Sequence, residues 1–207
     1  MEARLDGRNA LITGGSAGIG KAIAKSFLTS GANVSIVARR SEVLTAAKAE
    51  IEAEGAVTGT SSKVIAVSAD IRNSEECEKV IAKTQAAFGH VDVLVNNAGT
   101  SQRGDFLEVS DEIWQDDLDL KLFSAVRLCR LVIPGMRSRK WGRIINVLNL
   151  GAKVPNGGGA PTAVSRAAGM ALTKVLAKEN AGFNILVNGL LVGRIRSEQW
   201  ELSLIHI

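Results

Sequence analysis

The sequence predicts an α/β protein: a doubly wound parallel sheet of Rossmann type, in three layers α/β/α. Three observations predict it. Short apolar or β-branched runs alternate with longer runs of helical period, glycines crowd the junction between the first strand and the first helix, and helix-starting and helix-stopping residues fall at the run boundaries. Six strands are expected, at Asn9–Thr13, Asn33–Ala38, Lys63–Val67, Val91–Val95, Arg143–Val147 and Ile185–Asn188. Helical patterns lie between them at Gly18–Ser30, Ser41–Glu54, Ser74–Phe88, Asp111–Met136 and Pro161–Asn180. Ser41 and Ser74 are placed as caps ahead of their helices, Gly31 and Gly89 follow theirs, and Asp111 opens the long fourth helix. Gly55–Ser62 reads as a polar loop and Gly157–Gly159 as a flexible turn before the fifth helix. In such a sheet a ligand is expected at the carboxyl ends of the strands, where strand order reverses.

Composition narrows the class. With 46% hydrophobic and 22% charged residues among 207, the chain can bury one sizeable core, expected as one domain over residues 1–201. No stretch approaches the ~20 uncharged apolar residues of a membrane span, and the start lacks the apolar core of a secretory signal, so a cytoplasmic protein is expected. Cys77 and Cys129 are too few and too isolated for a disulfide framework or a zinc site and are expected as reduced thiols; His90 and His206 offer no metal constellation. The net charge of +4 invites nucleic acid, but the basic residues are scattered, and even the densest group, Arg137, Arg139, Lys140 and Arg143, is interrupted.

Thr13 to Gly20 reads TGGSAGIG directly after the first strand. Gly14 permits the sharp turn, Gly18 lets backbone approach a pyrophosphate at the helix N-terminus, and Gly20 lets the helix pack close to the strand. This spacing resembles the TGxxxGIG of the short-chain dehydrogenase/reductase superfamily. The resemblance continues through Asp70 after the third strand, NNAG at Asn96–Gly99, Trp114, PGM at Pro134–Met136, GRIINV at Gly142–Val147 and NILVNGLLVG at Asn184–Gly193. It implies a dinucleotide cofactor held by Gly14, Ser16, Gly18, Ile19, Gly20, Asp70, Ile71, Asn97, Ala98, Gly99, Arg166, Gly193 and Ile195. The second strand ends in Ala38 followed by Arg39 and Arg40, where an NAD reader places Asp or Glu; guanidinium groups there predict NADP(H) over NAD(H).

The family's catalytic Ser, Tyr, Lys and Asn fall on Asn149, Thr162, Arg166 and Lys121, all substituted within retained spacing, in a chain with no tyrosine. Thr162 is far less acidic than a phenol and cannot replace it as the acid, and it also suits a helix cap. Arg166 can hold a ribose without shuttling protons, or be a solvated helical charge. Asn149 can donate to a carbonyl oxygen or merely end its strand. Lys121, if it faces the site, is expected to have its pKa depressed by Arg166 and to act as a proton donor or water organiser; otherwise it points outward.

The resemblance therefore implies an oxidoreductase working on a carbonyl or alcohol through a nonstandard proton relay. A noncatalytic NAD(P)-binding sensor or pairing subunit and a pure interaction scaffold are the rivals. A homodimer or tetramer is implied through the fourth and fifth helices, carrying Trp114, Leu118, Leu122, Val126, Leu128 and Ala163, Ala167, Met170, Leu172. The closing LSLIHI, residues 202–207, resembles the translation of a sequencing adaptor. It predicts a truncated chain lacking the family's last strand and substrate lid, with the strand at Ile185–Asn188 left as an apolar edge.

Overall fold

The computed structural model describes residues 4–193 and 195. Six parallel strands, β1 (Asn9–Thr13), β2 (Asn33–Ala38), β3 (Val64–Ser68), β4 (Val93–Asn96), β5 (Gly142–Asn149) and β6 (Ile185–Val192), form one sheet in the order β3-β2-β1-β4-β5-β6. Because the order runs one way from β1 and then the other, the crevice at the carboxyl ends opens between β1 and β4.

Successive β1 residues point to opposite faces, and every one of them is buried, as expected for a central parallel strand. Ile12, with Ile36 and Val95, packs against Leu28 of α1 (Gly18–Thr29) and Leu44 and Ile51 of α2 (Ser41–Thr58). Leu11, with Leu94 and Ile144, meets Val80 of α3 (Ser74–Phe88), Leu128 and Met136 of α5 (Ser124–Arg139) and Leu176 of α6 (Thr162–Asn180). Burial of each such aliphatic side chain contributes about 1.5–3 kcal/mol.

Several expected boundaries move. Helix α2 continues to Thr58 and ends at Gly59 in the left-handed region, φ 71°, so residues 55–58 are helix and not loop. Gly55 is carried inward because a side chain there would crowd Leu28. The cap of α3 is Asn73, whose side chain accepts from the Glu75 N–H, and Ser74 is already helical; Ser41 likewise opens α2 without capping it. The long fourth helix is α4 (Asp111–Leu118) and α5 joined by a wide π turn, Asp119–Phe123. Such turns rotate the residues they contain relative to the regular helical stripe. Leu128, expected on an interface, is wholly buried in the core. In β6, Leu186 and Leu190 are about half exposed. Among the described residues no helix is long and apolar enough to cross a membrane. Residues 202–207, with His206, lie outside the described residues.

Candidate active site

The glycine turn leaves β1 with Gly14 at φ 68°, and its N–H donates to the Val37 carbonyl at 2.8 Å. A Cβ on Gly20 would collide with the Gly14 carbonyl, so the helix can sit this close to the turn only with glycine there. Helix α1 starts at Gly18 with no side-chain cap and no acidic residue in its first turn, leaving N–H donors and the positive end of the dipole for an anion. Thr13 ties this turn to the end of β4: its Oγ1 donates to the Val95 carbonyl and accepts from the N–H groups of Asn97 (2.9 Å) and Ala98 (3.0 Å). Asn97 returns the contact by donating to the Thr13 carbonyl at 2.9 Å.

Asp70 follows β3. Arg72 chelates its carboxylate and holds it below the usual range, with Arg39 adding a smaller pull. Arg72 also donates to Asp116 at 2.8 Å, which ties α4 to the segment after β3. Arg39 and Arg40 are exposed at the end of β2. Ile71, expected among the cofactor residues, buries its side chain in the core and offers only backbone. Gly193 and Ile195 follow β6 and are exposed, and Ser16 and Ile19 are half-buried in the glycine turn.

Lys121, Thr162, Arg166 and Asn149, the four positions read from spacing, lie close together. Lys121 sits in the π turn with its side chain fully enclosed, paired with Asp117 one turn earlier and donating to Thr162 Oγ1 at 2.7 Å. Ser165 donates to the other Asp117 oxygen at 2.6 Å. The outward orientation considered for Lys121 is therefore wrong. Its ammonium is lowered to about 8, but burial is the main cause, Asp117 opposes it, and Arg166 adds only the smallest push. Arg166 is no solvated charge either: it donates to the Val147 carbonyl at 2.8 Å, lies against Gly99 and has its own pKa lowered by burial. Thr162 opens α6 without capping it; its oxygen instead accepts from the Gln102 N–H at 3.0 Å. Asn149 closes β5 with its amide oxygen buried and unpartnered, and Arg166 Nε is likewise unpartnered.

Asp117, Ser165, Thr13 and Arg72 were not singled out from the sequence. Asp117 carried a signal, because an acid four residues before a lysine on a helix marks a pair. Ser165 carried none. The cysteines form no site: Cys77 and Cys129 are buried in the core, and burial pushes their thiols up to about 11 and about 12. Among the described residues no cluster could hold a metal.

The short chain dehydrogenase model matches residues 8–203, nearly the whole chain. The chain belongs to the short chain dehydrogenase family. A short chain dehydrogenase of Pseudocercospora fijiensis is 34% identical over 96% of this chain, which spans 63% of that relative. A 3-oxoacyl-[acyl-carrier-protein] reductase of Synechocystis is 35% identical over 93% of the chain and 76% of the relative. Among solved structures, the L-sorbose reductase of Gluconobacter frateurii complexed with NADPH and L-sorbose superposes with a TM-score of 0.92 at 35% identity, covering 98% of this chain and 75% of that one. Family membership makes a nicotinamide dinucleotide the implied cofactor. The glycine cradle, the free helix N-terminus and the unpartnered polar atoms of Asn149 and Arg166 fit it.

Proposed function

We propose that this short chain dehydrogenase is an NADP(H)-dependent oxidoreductase acting on a carbonyl or alcohol, with Lys121 supplying the proton that a tyrosine otherwise supplies. One observation carries this: the enclosed Lys121 ammonium lies 2.7 Å from the Thr162 hydroxyl, and Thr162 lines a recess together with Asn149. The glycine turn would hold the pyrophosphate, Arg39 and Arg40 the 2′-phosphate, Asp70 the adenine side, and Arg166 the nicotinamide side. When bound, the reduced nicotinamide supplies a hydride. Asn149 donates its amide N–H to a carbonyl oxygen, while its unpartnered amide oxygen accepts from an alcohol hydroxyl. The NADPH in the sorbose reductase structure supports the same cofactor form.

The partner we propose is a second copy of the chain. A groove of about 380 Å³ between α5 and α6, lined by Val126, Ile133, Pro134, Leu172 and Leu176, offers it an apolar seat.

The test is a thermal-shift titration with NADPH and NADH on wild type and R39A. Saturation at 100 times Kd adds about 2.7 kcal/mol, a rise of roughly 5–11 °C for a chain this size. An NADPH-selective rise that R39A abolishes is expected. Equal rises with both nucleotides would reject the preference, and no rise with either would reject dinucleotide binding.

A further inference from the structure

The segment after β4 and the glycine run ahead of α6 are clasped together, and Arg103 sits between the two bonds that join them. On one side the Gln102 N–H donates to Thr162 Oγ1 at 3.0 Å, and on the other the Gly104 N–H donates to the Gly158 carbonyl at 3.2 Å. Gly158 lies at φ 68°, a conformation that side-chain-bearing residues rarely adopt, so the clasp depends on glycine there. Both partners of the clasp contribute to the wall of a recess of about 60 Å³, lined by Arg103, Asn149, Gly157–Gly159 and Thr162 and by no acidic residue. Among the described residues Arg103 has no hydrogen-bond or ion-pair partner, and the N–H groups of Gly157 and Gly158 find no acceptor. The backbone of Arg103 is thus fixed while its charged end is unpaired.

Charge near the recess is unbalanced in the same sense. Asp117 is paired with Lys121 and also attracts Arg166, so one carboxylate already answers two cations. Arg103 adds a third cation with no carboxylate of its own. A guanidinium is a fixed positive charge whose N–H groups form a planar fork that fits a carboxylate bidentately. An unpaired fork in a wall that also carries free backbone donors and no acid attracts an anion. The space exceeds the ~10–15 Å³ that one water needs, so a small polar group can enter, and it is far below the ~300 Å³ of a pocket for a whole drug-sized ligand.

We propose that Arg103 binds a carboxylate of the substrate, and that the chain acts on short oxo acids and the matching hydroxy acids, with acid group and reacting carbon one or two carbons apart. The short spacing follows because Arg103 shares this one small recess with Asn149, the residue that donates to the reacting oxygen in the function proposed above. For the reacting carbonyl the inference rests on that oxidoreductase reading; for the acid group it rests on Arg103 and the glycine donors. A single negative charge matches the single unpaired guanidinium, whereas a phosphate monoester, at about −1.5 to −2, would leave charge unanswered. The carboxylate stays ionised and takes no part in bond making. Arg103 therefore holds substrate and transition state alike, and its loss should raise KM while leaving kcat near its wild-type value.

Steady-state NADPH oxidation by the full chain, with 2-oxobutanoate and 3-oxobutanoate set against their methyl esters, tests the assignment. Wild type should prefer the acids by about 10- to 100-fold in kcat/KM, the worth of hydrogen bonds to a charged group. R103Q should lose that preference through KM, and R103K, which keeps the charge without the fork, should retain part of it. Equal kcat/KM for acids and esters in wild type would overturn the proposal, and that comparison needs no variant. A preference that persists in R103Q would overturn it too; Arg103 is exposed and unpaired, so R103Q should melt as wild type does. If neither acids nor esters are reduced, calorimetric titration of wild type and R103Q with 2-oxobutanoate and 3-oxobutanoate reads the acid site by itself. Binding that R103Q loses would uphold the site and reject the oxidoreductase activity instead. No binding, or equal binding in R103Q, would overturn the proposal.

Discussion

Replacing Lys121 with methionine removes one buried charge from the π turn, and the pH dependence of the resulting stability difference isolates that charge. In the folded protein, burial outweighs the attraction of Asp117 and lowers the ammonium from 10.5 to about 8. Between those values the unfolded chain holds a proton that the folded chain has released. Unfolding then takes up a proton and becomes harder as pH rises. Wild type should therefore gain stability over K121M as pH climbs from about 8 towards 10.5, with a flat difference at lower pH, where Lys121 is protonated in both states. At about 1.4 kcal/mol per pH unit, the separation between 10.5 and about 8 amounts to about 3 kcal/mol. Urea unfolding of both proteins at intervals from about pH 7 to pH 10 reads the difference directly, since other titrations shared by the two proteins cancel. A difference that stays flat or falls through that window would refute the reasoning. Asp117 would then be holding Lys121 at or above its ordinary value, and the ammonium would be a poor proton donor.

G20A sets helix propensity against packing. Alanine favours the helix by about 1 kcal/mol, but its Cβ would meet the Gly14 carbonyl, and relieving such overpacking costs about 1–3 kcal/mol. The variant should be less stable in thermal melts and lose its response to NADPH; an unaltered response would show that the turn does not hold the pyrophosphate. Cys77 and Cys129, buried and pushed up to about 11 and about 12, should resist a thiol reagent at neutral pH in the native protein and react, both of them, in denaturant. Rapid labelling of the native chain would contradict their burial.

The strands were legible because a parallel sheet buried on both faces demands unbroken apolar runs; β1 and β2 fall on the expected residues. Helix ends were less so. The α2 boundary moved because Gly55 is buried against Leu28, a tertiary contact that overrides the loop preference of glycine. The glycine turn was legible in full, since each glycine answers a local backbone requirement. Spacing named the candidate chemical positions but not the state of their side chains. For the depressed pKa expected of Lys121, the wrong neighbour was given the leading part. The burial comes from the packing of α6 on α4 and the π turn, residues more than forty positions apart, whereas Asp117 stands four residues before Lys121 in the sequence.

By itself the sequence determined the order of elements, the dinucleotide-binding turn and the absence of the family's tyrosine, because these depend on local backbone chemistry and on which side chains exist. Tertiary structure alone decided that the substituted residues form a closed polar cluster and not a scatter of solvated charges. Lys121 is enclosed within the π turn, and α6 delivers Thr162 and Ser165 to the Asp117 carboxylate. Whether a charge is buried or solvated is set by what packs over it, and no property of the isolated residue carries that information.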